Sequence, residues 1–303
     1  MNNGHHFPTA GLTGRMTSAT QERSAQMGTL TSHAKGFLLA AAVGVSALAA
    51  GSAWAAPTLV TLNPSAAGLS SQGAFTADNY GLLDFAVVNI TNATGNFTET
   101  GTLQLQAFLN GSTTLGSATT GLRNGIGAGS YGLYITFSAA GHVGGPAGVG
   151  PFVPGGTNIG SFSSISYTLL GDPGNTDAVS ATGVLTNGGT ADIVLATGGL
   201  GGGVNQVSVI GAPGTPSADV LLSLIKTAIG NSFFALPANL AFQEDAFTNT
   251  TSVVTITGTA TTTTIGINGG GGNGTFFVPE PASLLLLGVG TAALGVLSRR
   301  RKA

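Results

Sequence analysis

Short apolar and polar runs alternate along most of the chain, and two long apolar runs stand apart near its ends. Residues 102–108 (TLQLQAF) alternate with period two, the pattern of a strand with one buried face. Residues 82–90 are more continuously apolar, which predicts a strand covered on both faces. Residues 131–137, 163–170, 192–197, 204–210 and 252–257 are rich in Val, Ile, Thr and aromatics, and 259–267 reads as a Thr-rich strand. Turn residues (Gly, Asn, Pro and Ser) separate these runs. The series predicts an all-β fold, an antiparallel β-sandwich or barrel-like body over residues 56–268. The GGGGNG run at 269–274 then reads as a flexible linker covering 269–277.

One short helix is expected within this series, over residues 216–230. Ser217 is its N-cap, Asp219 lies in its first turn and Gly230 stops it. Val220, Leu221, Leu224, Ile225 and Ala228 share one helical face, so the helix is expected to pack on the sheet.

The first long apolar run is residues 37–50, preceded by Arg15, Arg23 and Lys35 and followed by GSAWAAP at 51–57. A basic flank, a short apolar core and an Ala-x-Ala site make a secretory signal peptide over residues 1–55, forming an N-terminal signal helix. Ala53 and Ala55 are the small residues of the site, and Ala56 begins the mature chain after a signal peptidase acts. Translation from Met27 instead of Met1 would leave a signal of ordinary length, residues 27–55.

The second run, residues 282–298, follows Val278, Pro279, Glu280 and Pro281 and precedes Arg299, Arg300, Arg301 and Lys302. It is a short span, since a transmembrane helix needs about 20 mostly apolar residues. The four cations orient it by staying cytoplasmic. With the basic flank of the signal also cytoplasmic, the body between is placed across the membrane. Two prolines around Glu280 hold the backbone extended, which suits a protease site on the outer face.

Residues 278–303 resemble a PEP-CTERM sorting tail, in which a Pro-Glu-Pro motif, one transmembrane helix and a basic cluster occur in that order. The resemblance implies a Gram-negative host, export across the inner membrane and a transient membrane-anchored intermediate. It further implies cleavage near Pro279, Glu280 and Pro281 by an exosortase-type enzyme and release to the cell surface or extracellular matrix, among exopolysaccharide. The body also resembles the flocculation-associated subgroup of this family, through FTAD at 75–78, the Tyr131 to Phe137 segment and the turn at Asp172 and Pro173. That subgroup implies a structural role in flocculation or biofilm cohesion. An exported carbohydrate-binding module or hydrolase that uses the tail only for sorting is the alternative.

Composition narrows the chemistry. Only 7% of residues are charged, against about 25% in ordinary domains. Between Ala56 and Val278 there are nine acids and two cations, Arg123 and Lys226, a net charge of −7. Nucleic-acid binding needs clustered Lys and Arg and is excluded. Cysteine is absent, which removes disulfides, thiol nucleophiles and thiolate metal sites.

Catalytic patterns are sparse. His142 is the one histidine of the body, it reads as a loop residue, and no G-x-S-x-G elbow accompanies it. Gly127, Gly129 and Gly132 formally match G-x-G-x-x-G, but a strand rather than a helix follows. Glu244 and Asp245 are adjacent on a predicted strand and so point to opposite faces; a glycosidase pair would have to recruit Glu99 or Asp84. No enzyme activity and no organic cofactor are expected. One histidine without cysteine makes a poor zinc site, and calcium is the metal that fits, on Asp172, Asn175 and Asp177, three oxygen-bearing side chains within six residues. The competing reading of those residues is a hairpin turn with Pro173 and Gly174 in the central positions of a type II turn.

Overall fold

The computed structural model describes residues 57–123, 130–210, 215–236, 241–245 and 254–277. Two short strands, β1 (Val60–Leu62) and β2 (Phe75–Ala77), precede β3 (Asn79–Thr91), β4 (Asn96–Asn110) and β5 (Thr113–Leu115). After helix α1 (Ser117–Thr120) come β6 (Gly132–Gly144), β7 (Thr157–Asp172), β8 (Ala178–Val179) and β9 (Leu185–Thr186). Next are β10 (Ile193–Ile210), β11 (Thr215–Ser223), β12 (Ile225–Lys226) and helix α2 (Ala228–Phe233). The series ends with β13 (Phe234–Leu236), β14 (Ala241–Asp245), β15 (Val254–Gly258) and β16 (Thr262–Phe277).

Pairing is antiparallel throughout the main sheet and closes on itself. In chain order β3, β4, β6, β7, β10, β11, β14 and β16 each pair with the next, and β16 returns to pair with β3. The expected β-sandwich or barrel-like body is therefore present, as a ring that leaves none of its long strands with an open edge over its full length. Period-two alternation explains the ring: Tyr80, Leu82, Ala86, Val88 and Ile90 of β3 all turn to the buried side.

The interior has two halves. Toward one end Tyr80, Phe108, Phe234 and Phe276 pack together, with ring centroids 5.2 Å apart for Tyr80 and Phe276 and 6.4 Å for Phe108 and Phe276. The small sheet of β13, β1 and β2 covers this end; the Thr58 amide donates to the Phe276 carbonyl, and the Asn63 amide to the Phe233 carbonyl. Such rings bury large apolar areas, each side chain contributing about 1.5–3 kcal/mol. Toward the other end the interior is less filled, as described below.

Five expectations are corrected here. Residues 215–223 form β11, not a helix, because they find ladder partners on both sides: Val220 faces Asn205 of β10 and Glu244 of β14. The segment also fits period two, with Val220 and Leu222 both buried, and tertiary pairing decided between the two periods. The helix that does form is α2, capped by the Thr227 side chain, which accepts from the Gly230 amide. The expected linker at 269–277 is the second half of β16, with Gly270 through Thr275 in register with β3. The strand at 82–90 is covered fully on one face and only partly on the other. There the loop carrying Gly183 lies over Phe85, and Thr102 donates to the Gly183 carbonyl at 2.7 Å. His142 lies in strand β6, opposite Asn96 and Ser161, rather than in a loop. The two runs at 192–197 and 204–210 belong to one strand, β10.

Candidate functional site

The turn after β7 gathers three carboxylates. Asp172 ends the strand and is fully buried. Its Oδ1 accepts from the Gly174 amide at 2.8 Å, and its Oδ2 accepts from the amides of Thr176 and Asp177. The Asn175 amide closes the turn on the Asp172 carbonyl at 3.3 Å. Asn175, not Gly174, takes the left-handed conformation, with φ 49°. The turn is therefore not type II, which would need that conformation at Gly174; Asn tolerates it because its short polar side chain bonds locally.

Asp177 is 2% exposed, and its Oδ1 accepts from the Gly188 amide at 3.0 Å. Asp192, just before β10, completes the group: each of Asp172, Asp177 and Asp192 places a carboxylate oxygen within 4.8 Å of the others. Burial first, then the Asp177 and Asp172 carboxylates, push the Asp192 carboxyl up to about 6. Tyr134 donates its hydroxyl to the Asp177 carbonyl at 3.2 Å, and Arg123 donates Nη1 to the same oxygen at 3.2 Å. Burial raises the Tyr134 phenol, and Arg123 counteracts it. Two of the three predicted calcium ligands, Asp172 and Asp177, thus come together. Asp192 is the member that spacing missed, because the β8–β9 hairpin separates it from the turn.

A second set of acids lies inside the ring. Asp84 of β3 and Glu99 of β4 line a cavity of about 70 Å³, otherwise walled by apolar side chains such as Val88, Phe97, Phe162 and Ile265. Desolvation in this wall pushes the Glu99 carboxyl up to about 7. The volume is that of several waters, enough to hydrate two carboxyl groups. Glu244 and Asp245 occupy the end of β14, with Glu244 opposite Gly274 and Asp245 opposite Asn273.

The barrel ends at Phe277, the last residue of β16, and the polar motif begins almost at once. The family profile described as the PEP-CTERM protein-sorting motif matches residues 277–302. The chain carries a PEP-CTERM sorting motif. The PEP-CTERM match starts on the closing strand of the barrel and takes in Pro279, Glu280 and Pro281 together with Arg299 through Lys302. It marks the chain for export to the cell envelope and for processing by an exosortase-type enzyme. No curated protein and no solved structure matches the chain. The predicted processing residues Ala53, Ala55, Ala56, Pro279, Glu280 and Pro281, the basic cluster and the predicted span lie outside the described residues. Among the described residues no helix is long and apolar enough to cross a membrane.

Proposed function

We propose that this PEP-CTERM protein is a structural component of the cell surface or extracellular matrix, helping cells cohere with exopolysaccharide in flocs or biofilm. The observation that carries the reading is the outer face of the sheet. Thr100, Ser138 and Ser166 stand opposite one another across β4, β6 and β7, and all three are exposed. Ser138 and Ser166 are hydrogen-bonded at 2.9 Å, and Thr264 donates to Asn89 at 2.9 Å on the neighbouring pair of strands. A row of exposed hydroxyls with few charges exchanges hydrogen bonds with a hydrated polysaccharide at little desolvation cost. The sorting tail supplies the route: a membrane-held intermediate, cleavage near Glu280 and release to the outside.

The test compares wild type, Glu280→Ala and a deletion of residues 279–303 in the native host. Fractionation, intact mass and the settling rate of the culture are measured. Wild-type protein is expected in the matrix fraction without either terminal segment, and Glu280→Ala as a longer form in the membrane fraction. Both altered strains should settle more slowly. Normal processing of Glu280→Ala would refute the route. Unchanged settling with the protein missing from the matrix would refute the cohesive role.

A further inference from the structure

We propose that Asp172, Asp177 and Asp192 bind one calcium ion, which ties the turn after β7 to the start of β10. The inference does not depend on where the protein is sorted. Three observations point to a cation. First, three carboxylates, two from the turn after β7 and one from the start of β10, put oxygens within 4.8 Å of one another. Second, Asp177 is 2% exposed, yet its Oδ2 has no hydrogen-bond partner, and the same holds for the buried Oδ1 of Asp192. A buried carboxylate oxygen is normally paired or bound to metal. Third, the local charge does not balance. Counting Arg123 against the three carboxylates leaves two negative charges, the amount that one divalent cation neutralises.

The donors choose the ion. They are carboxylate oxygens only, the chain has no cysteine, and His142 lies elsewhere on β6, so zinc and copper lack their preferred ligands. Calcium accepts irregular shells of carboxylate, carbonyl and water oxygens, whereas magnesium demands a near-ideal octahedron and keeps much of its own water. The fixed oxygens of Asp172 are already oriented by the Gly174, Thr176 and Asp177 amides, so the site is organised before the ion arrives.

The test uses the full-length protein in detergent, stripped with EGTA and returned to metal-free buffer. Radioactive calcium in equilibrium dialysis gives the stoichiometry, and thermal unfolding with added CaCl2 gives the linked stabilisation. Expected are one ion per chain, half-saturation at or below about 1 mM as in extracellular calcium modules, and an unfolding temperature that climbs with occupancy. Asp177→Asn and Asp192→Asn should each weaken binding about tenfold or more. Asp192 is the least buried of the three, so its variant remains measurable if Asp177→Asn does not accumulate. Absence of saturable calcium binding by wild type overturns the proposal, as does wild-type affinity in Asp192→Asn. An equal rise in unfolding temperature with MgCl2 overturns the assignment to calcium.

Discussion

The backbone of Gly274 lies so close against the Tyr80 ring that a methyl group on its α-carbon would overlap the ring carbons. Tyr80 is 1% exposed and packed against Phe276, so the ring has nowhere to go. Gly274→Ala should therefore destabilise the protein by about 3 kcal/mol, the upper range for overpacking. Urea unfolding of the purified variant measures this. A midpoint matching wild type would mean that the glycine-rich segment does not sit in the ring.

Asp172 holds the turn through backbone amides. Asp172→Ala removes the acceptor of three N–H groups at a fully buried position, a loss of about 3 kcal/mol or more in calcium-free buffer. Asp172→Asn keeps one acceptor oxygen and should lose less. Hydrogen exchange of the Thr176 and Asp177 amides follows the change, and unaltered protection in Asp172→Ala would contradict the described turn.

Tyr131 is 0% exposed and its hydroxyl has no hydrogen-bond partner. Its burial also pushes the phenol well above the usual tyrosine range. Tyr131→Phe removes only that unsatisfied hydroxyl and should stabilise the fold by about 1 kcal/mol, read as a higher unfolding temperature. A lower one would reveal a partner for the hydroxyl.

Glu99 gives stability a pH dependence. Its carboxyl titrates near 4.5 when unfolded and is raised to about 7 by burial in the folded state. Between these values the folded protein keeps a proton that the unfolded chain has released, so stability falls as pH rises through this window and stays lower above it. Glu99→Gln removes this part of the fall and leaves the smaller one from Asp192, whose carboxyl is raised to about 6. Its advantage over wild type should be absent at about pH 4 and on the order of 2 kcal/mol at about pH 8, allowing for a side chain that is only partly buried. Parallel unfolding curves at the two pH values decide it.

Much of the fold was legible because its strands announce themselves by alternation and by β-branched content, as in Thr102 to Phe108. The errors fell where one sequence satisfies two periods or none. Val220, Leu221, Leu224 and Ile225 fit a helical face as well as a strand, and only the partners Asn205 and Glu244 select the strand. Gly270, Gly271, Gly272 and Gly274 have no side chains to alternate, so the place of this stretch beside Tyr80 through Asp84 could not be seen. At the site, Asp172 and Asp177 were visible by proximity in sequence. Asp192 was not, since a separation of fifteen residues carries no contact information until β7 and β10 are paired.

The ring closes only when β16 reaches β3, and β16 ends one residue short of Pro279. For an exported chain that emerges N-terminus first, the first long strand must wait for almost the last residues before the motif. Closing so long a loop is slow, and one residue extends at most about 3.6 Å. Folding of the body and presentation of the motif are thus timed by the same few residues: until translocation has reached the address, the parcel cannot be sealed.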